Sequence, residues 1–523
     1  MLIRDAVTRY RSIAGVLRIC FWLAVLLFIG AGARLAAANH SEGGWDSASN
    51  LIAARSVATG DGFTTIQVQD LVDPHPIPGR ETVRAPGVVY LFAGVLRITH
   101  TWMKAMVWFN LVTILIAVFC LRGAVGLVAP AWSADVAGLL LLANAANYQL
   151  VPLVNNNALT AVTCIALLIV ALARRRRLQG MRLAVACGAV GAAAFLVKQS
   201  YILGFAAFAT ILLASEVRYS WTRRALHIVL AGTLMALFSI PYWLPNLREH
   251  GTPLYSPIQE LRLPFRYGVI PTETYQRVVY LGKTVPGYHA IAQMIGTRSM
   301  LRRELDIVRM VPGALFGRGA LVLVWAIAML VFMRRRRWVL VLAALALAIP
   351  PFFDAIWWVP EARYFFPVYP IAIFIGALAV TDYRWVERRE FRPAARVRFR
   401  RAFTLLCALV AIGTLLQTRW GWRSEFAMAR TPEPAWIPAV DGLPADAVVL
   451  TTVPPQVSWW TSRPTVVEPE GTRADLVEVL RLYRPGFYLD LSPGARSNRP
   501  PFAPNELEPI GSGAGWALYR LHG

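Results

Sequence analysis

Among the ionisable side chains that border the apolar runs of this 523-residue chain, five have types and settings suited to chemistry. Asp46 heads the amphipathic segment of "EGGWDSASNLIAARSVATGDG" (42–62), directly after the first long apolar run. Arg84, Lys198, Arg248 and Arg363 stand in "RETVRAPGVVYLFAGVL" (80–96), "AFLVKQSYI" (194–202), "PYWLPNLREHGTPLY" (241–255) and "WWVPEARYFFPVYP" (357–370). A carboxylate beside a low-dielectric interface can have its proton affinity tuned, which suits Asp46 to a general base or to a divalent-metal ligand. Its spacing equally suits the N-cap of the helix that follows. An ionisable residue at membrane depth marks a functional site, although long basic side chains also snorkel to headgroups. Several cations converging on one face beside a carboxylate describe an anion site, most naturally for a phosphate at headgroup level.

The elements that must position these residues follow from composition. Hydrophobic residues make up 56% of the chain and its mean hydropathy is +0.48, too apolar for a soluble globule. Apolar runs of about 17–20 residues recur, the length of a spanning helix, so the chain is a polytopic α-helical membrane protein. The net charge of +23 lies largely in short clusters between those runs, as the positive-inside rule requires, and no nucleic-acid partner is implied. Fifty of the 53 basic residues are arginine, as in a GC-rich bacterial genome. Cys20, Cys120, Cys164, Cys187 and Cys407 all fall inside apolar runs, so neither a disulfide framework nor a thiolate metal site is expected.

Arg4, Arg9, Arg11 and Arg18 before the first run place the N-terminus in the cytoplasm, and no cleavage site follows that run. Further cytoplasmic markers are 174–177, 218–224, 334–337 and 383–401. The segment 85–102 has an apolar core of only about twelve residues, and crossing there would export Arg174–Arg177. It is expected to be a helix on the outer surface. Eleven spans result, near 16–38, 104–122, 133–150, 157–173, 182–198, 200–216, 225–243, 314–333, 338–353, 363–380 and 402–419. The expected division is a membrane domain over 1–419, with outer loops 39–103 and 244–312, and an extracytoplasmic domain over 420–523. That last part reads as small and α/β. "AVVLTT" (447–452), "FYLDL" (487–491) and "WALYRL" (516–521) suit strands, and "RADLVEVLRLY" (473–483) suits an amphipathic helix.

An acid just after the first span, then "R.PG" opening a surface helix, resembles the first outer loop of bacterial GT-C membrane glycosyltransferases. That group includes the aminoarabinose transferases and the protein O-mannosyltransferases. "PYWLPNLREHGTPLY" is similar to their "P-W-x-x-R-N…G-x-P" segment, with Pro245 where arginine is commoner before Asn246. "EARYFFPVYP" resembles their late "E-x-R-Y…P…P" segment, and "TTVPPQVSWWTSRPTVVEP" (451–469) resembles the exterior domain that often follows the last span. The resemblance implies a transferase at the outer face of the bacterial cytoplasmic membrane, with a polyprenyl-phosphate sugar as donor and a lipid, glycan or protein as acceptor. Asp46 would take the proton of the acceptor hydroxyl, which attacks the anomeric carbon with inversion. Arg84, Lys198 and Arg363 would stabilise charge on the leaving phosphate. Glu361 would position Arg363, and Asn156, Asn157, Asn246 and Tyr364 would position substrate.

Many relatives carry an acid at the outer mouth between the third and fourth spans, where this chain has Asn155, Asn156 and Asn157. Asparagine is a poor base and a weak ligand, so a metal held between two carboxylates is not supported, although a divalent ion on Asp46 stays open. His40, His75, His250 and His289 lack the tight spacing of a metal site. Tyr267, Tyr275, Tyr280 and Tyr288 in the long outer loop suit either stacking on sugar rings or interfacial anchoring. The alternative from another class is a transporter or flippase for a lipid-linked glycan. Transporters tend to show internal repeats and polar groups at mid-membrane; here no repeat stands out, and the charges gather at one face.

Overall fold

The computed structural model describes residues 2–39, 41, 45–69, 71–72, 76–81, 84–99, 102–145, 154–253, 257–269, 277–280, 285–316, 323, 326, 338–357, 361–389, 423, 426–427, 429–430, 432–491, 502–503 and 505–522. In chain order the helices are α1 (Leu2–Ala38), α2 (Trp45–Thr59), α3 (Pro86–Thr99), α4 (Trp102–Val128), α5 (Ala131–Ala145), α6 (Val154–Arg174), α7 (Gly180–Val197), α8 (Tyr201–Ala214), α9 (Trp221–His250), α10 (Pro257–Arg266), α11 (Tyr288–Ile295), α12 (Thr297–Phe316), α13 (Trp338–Ala346), α14 (Ile349–Trp357), α15 (Val368–Arg389), α16 (Ile437–Asp441), α17 (Pro454–Thr461) and α18 (Arg473–Tyr483). The strands are β1 (Thr64–Thr65), β2 (Gln67–Val68), β3 (Gly79–Arg80), β4 (Val449–Thr451), β5 (Thr465–Val467), β6 (Phe487–Asp490), β7 (Leu507–Gly513) and β8 (Trp516–Leu521).

The chain divides into two compact units. The first comprises 1–39, 106–244 and 307–429, and its described part is helical. In hydrocarbon every backbone N–H and C=O must be satisfied within the chain, which selects helices for the apolar runs. Among the described residues six helices are long and apolar enough to cross a membrane: Ala14–Ala38, Lys104–Val128, Asn156–Arg174, Gly180–Val197, Trp221–His250 and Trp338–Ile356. Shorter apolar helices include Ala131–Asn144, Tyr201–Ala214 and Val368–Ala379. The chain is thus a multi-pass membrane protein. Nine of the eleven expected spans coincide with described helices. Span 402–419, and all but the start and two isolated residues of 314–333, lie outside the described residues. Leu23, Leu26 and Leu27 on α1 and Leu226, Val229 and Phe238 on α9 face outward, which lipid tails tolerate and water would not.

Small residues let these helices approach. A Cβ on Gly204 of α8 would lie 2.4 Å from Pro350 and 2.9 Å from the carbonyl oxygen of Ala346. Pro350 and Pro351 lack N–H groups, which breaks the apolar run 338–357 into α13 and α14. The charge of the buried Asp135 on α5 is met by Arg122 of α4 at 2.8 Å, whose guanidinium lies over the Phe21 ring of α1 at 4.9 Å.

The second unit comprises 40–105, 245–306 and 430–523. Its centre is a six-stranded sheet of order β2-β5-β4-β6-β8-β7. β2, β5, β4 and β6 run parallel, and β8 and β7 close the sheet antiparallel. Alternate residues bury on opposite faces. Leu450, Val466 and Tyr488 pack with Leu476 and Val479 of α18, while Val449, Leu489 and Leu518 pack with Val440 and Val457. The expected helix 473–483 and strands near 447–452, 487–491 and 516–521 are present, and α3 occupies the surface-helix segment. This unit is not a linear cut at residue 420. It takes in first-loop residues because β2 pairs with β5, Gln67 opposite Thr465 and Val68 opposite Val466.

α18 begins in a capping box of Thr472 and Asp475. Directly after the Thr472 cap, Arg473 donates to Glu506, and this bond holds the Glu506 carboxyl below its usual range against the opposing effect of burial. A lowered folded-state pKa means stability that is present above the unfolded pKa and is lost as pH falls through the folded one. The melting temperature of the whole protein is therefore expected to drop more steeply in wild type than in Arg473→Gln as pH is lowered below about 4.3, the unfolded Glu value. Parallel melting curves for the two would remove this pair from the acid sensitivity.

Candidate functional site

In the second unit α2 begins at Trp45, so Asp46 stands within its first turn, where the helix dipole favours a carboxylate. The Asp46 side chain is 48% exposed, and its Oδ1 accepts a hydrogen bond of 2.9 Å from Nη1 of Arg84, whose side chain is 8% exposed. Nη2 of Arg84 donates to Gln69 Oε1 at 3.4 Å, and the Ser49 hydroxyl donates to the same oxygen at 3.0 Å. Glu81 Oε1 accepts the Arg84 backbone N–H at 3.0 Å. Asn50 Nδ2 donates to the Asp46 carbonyl at 2.8 Å. The result is a carboxylate open to solvent on one side and oriented by a buried guanidinium on the other. Arg84 has five N–H donors, so serving Asp46 does not exhaust it.

α2 is itself held from three directions. Arg97 of α3 donates to the carbonyls of Val57 and Ala58 at 3.1 and 3.2 Å, meeting the helix C-terminus with a cation. Arg55 donates to the carbonyls of Ser458 and Trp459 at 3.1 and 3.4 Å, and its guanidinium lies 5.4 Å from the Trp459 ring centroid. Gln69, directly after β2, ties the Ser49–Arg84 chain to the sheet. Asn246 is buried; it accepts from Arg80 at 3.0 Å and donates to the Pro253 carbonyl at 3.3 Å, while Arg248 is exposed. Tyr267 is buried with its hydroxyl on Glu304; burial first, then that carboxylate, push the hydroxyl up to about 12. Tyr288 is exposed, and Tyr275 lies outside the described residues.

In the first unit Lys198 ends α7, its ammonium 2.5 Å from Asp354 Oδ2 and 4.6 Å from the Tyr364 ring centroid. Arg363 pairs with Glu361 at 2.6 Å, and its guanidinium lies 5.5 Å from the same ring. One tyrosine thus gathers two cations, each with its own carboxylate. Asn156 and Asn157 are buried on α6, and the Asn155 side chain is outside the described residues. Sequence reasoning brought Lys198, Glu361, Arg363 and Tyr364 forward but missed Asp354, although a lone acid in "IPPFFDAIWW" carries the same membrane-depth signal as Lys198. It also missed Gln69, Ser49, Glu81 and Arg55, whose roles depend on folding partners distant in sequence.

Asp46 Oδ1 faces the Arg84 guanidinium, and among the described residues no three His, Cys, Asp or Glu side chains gather. His250 lies 3.8 Å from Glu249, His289 contacts Gln293, and His40 and His75 lie outside the described residues.

No protein-family model matches the chain, and no curated protein matches it in sequence. Solved structures do. ArnT from Cupriavidus metallidurans, bound to undecaprenyl phosphate, aligns with a TM-score of 0.58 at 14% identity, over 95% of this chain and 97% of that one. The oligosaccharyltransferase from Archaeoglobus fulgidus, tethered to an acceptor peptide, aligns with a TM-score of 0.55 at 14% identity, over 90% of this chain and 69% of that one. The same archaeal enzyme, AglB, with an inhibitory peptide and a dolichol-phosphate, aligns at 0.53. The chain has the fold of the GT-C membrane glycosyltransferases.

Arg55→Met keeps the aliphatic stem and deletes both bonds to α17. The expected loss is about 2 kcal/mol, read as an earlier urea midpoint of tryptophan fluorescence. An unchanged midpoint would assign no holding energy to Arg55.

Proposed function

We propose that this protein is a glycosyltransferase that moves a sugar from a polyprenyl-phosphate donor to an acceptor hydroxyl at the outer face of the bacterial cytoplasmic membrane. The observation that carries the reading is Asp46: a half-exposed carboxylate, oriented by Arg84, in a fold that aligns over nearly its full length with a transferase described with undecaprenyl phosphate. The acceptor hydroxyl gives its proton to Asp46, and its oxygen bonds the anomeric carbon. The bond from that carbon to the phosphate oxygen breaks with its electron pair on the leaving polyprenyl phosphate, and the configuration inverts. Arg84, Lys198 and Arg363 carry cationic donors that stabilise the charge of the leaving group. Glu361, ion-paired to Arg363, and Tyr364, between the two cations, orient those donors. Asn156, Asn157 and Asn246, all buried, act by shaping the protein around the substrate. The reaction is proposed to need no metal, and the acceptor is a lipid, a glycan or a protein. A sugar lost from phosphate to hydroxyl leaves the membrane with one more polyprenyl phosphate and one fewer charged donor, which lipid analysis reads directly.

In membranes of a deletion strain one polyprenyl-phosphate sugar is expected to accumulate. Wild type relieves it and Asp46→Asn, which keeps the shape and loses the proton acceptor, does not. Accumulation confined to the cytoplasmic leaflet would favour the flippase instead, and normal donor levels with all glycans intact would sink the transferase. Chelation with EDTA is expected to leave transfer by wild-type membranes intact; loss restored by added magnesium or manganese would return a metal to the reaction.

A further inference from the structure

Lys198 leaves α7 in extended backbone, φ −160° and ψ 119°, and its ammonium lies 2.5 Å from Asp354, whose side chain is 4% exposed against 25% for the lysine. The ring of Tyr364 covers another side of the ammonium. Two properties set this pair apart from a surface ion pair. The carboxylate is the buried member, so drawing the lysine away leaves a buried charge without its counter-ion, which is costly. The ammonium is also a compact point charge with three donors, which two oxyanions can share only by approaching each other.

We propose that Asp354 is an internal rival of the donor's phosphate for Lys198, and that the rivalry favours release of the spent lipid. The inference rests on the reading of Lys198 as a phosphate contact. The donor is a phosphodiester and carries one negative charge. Once the sugar has left, the polyprenyl phosphate is a monoester, which carries between one and two. A fixed carboxylate sharing the same ammonium repels the monoester more than the diester, because the repulsion scales with the product of the charges. Asp354 thereby lowers affinity for the product more than for the donor, at a step that often limits turnover in enzymes that close around their substrates. It touches Lys198 rather than the reacting atoms, so it is a positioning residue.

The test uses the purified full chain and three probes: undecaprenyl phosphate, its methyl ester as a singly charged diester, and uncharged undecaprenol. Affinity is measured by quenching of the intrinsic tryptophan fluorescence. Asp354→Asn is expected to tighten undecaprenyl phosphate by about tenfold and the methyl ester by about threefold, because one like charge is removed beside each. It should leave undecaprenol unchanged. Asp354→Ala, which removes the charge with a different shape, gives the same order if either variant folds less well. The double variant Lys198→Met/Asp354→Asn is expected to bind undecaprenyl phosphate more tightly than Lys198→Met alone, because the carboxylate's repulsion is gone, and more weakly than Asp354→Asn, which keeps the ammonium. Unchanged or weaker phosphate binding in both Asp354 variants, with Lys198→Met still impaired, overturns the rivalry and leaves the phosphate contact standing. Equal wild-type affinity for all three probes, unaffected by Lys198→Met, overturns the phosphate contact itself and the rivalry with it.

Discussion

A charge withdrawn from bulk water must be met by another, and that constraint orders both units of this protein. In the helical unit Asp135 is closed off at 1% exposure and answered by Arg122, and Asp354 at 4% is answered by Lys198. In the sheet-bearing unit Glu468 is wholly buried and answered by Arg277, and the nearly buried Arg84 is answered by Asp46. The pairs differ in which member is withdrawn. Where the acid is buried and the base reaches outward, as at Asp354, the cation is available only against the pull of its partner. Where the base is buried and the acid reaches outward, as at Arg84, the carboxylate is presented in a set direction. The chemistry proposed for Asp46 and Lys198 follows from these opposite arrangements.

Much of the architecture was legible because hydrocarbon imposes so coarse a rule. Apolar length predicted the spans that the described helices occupy, and the short core of 85–102 predicted a helix too short to cross, which α3 is, at 14 residues. The amphipathic spacing of 473–483 and its Thr472–Asp475 opening are local signals, and that helix was found to the residue. Less was legible where structure rests on long-range pairing. β2 is two residues long, Gln67 and Val68, and no periodicity can be read from two residues; it exists because β5 offers it a parallel edge some four hundred positions later. The division of the chain into units depended on that pairing, so a boundary drawn along the sequence could not anticipate it.

The site divides in the same way. Asp46, Lys198 and Arg363 stood out by type and by their nearness to apolar runs, and each has the carboxylate or cation partner that such a position demands. Their partners were harder to see. Arg84 had been assigned by itself to a phosphate, yet its guanidinium also serves Asp46. Asn246 drew attention within a familiar segment, and it is tied to Arg80 and to the Pro253 carbonyl. Sequence identifies a group that could act, while folding decides which neighbour claims it.

The sheet explains how the base proposed at Asp46 is held in a fixed position. A helix of 15 residues is marginal in water on its own, and a general base displaced by about 1 Å loses much of its advantage. The geometry of α2 therefore has to come from outside it. Arg97 secures its last carbonyls, Arg55 binds its flank to the backbone of α17, and Ser49 reaches Gln69 at the end of β2. Two of those three fastenings lead into the same sheet, through α17 and through β2. A domain at the end of the chain thus fixes the direction of a carboxylate near its beginning, and changes in that sheet should reach Asp46 through α2 before they alter anything the carboxylate touches.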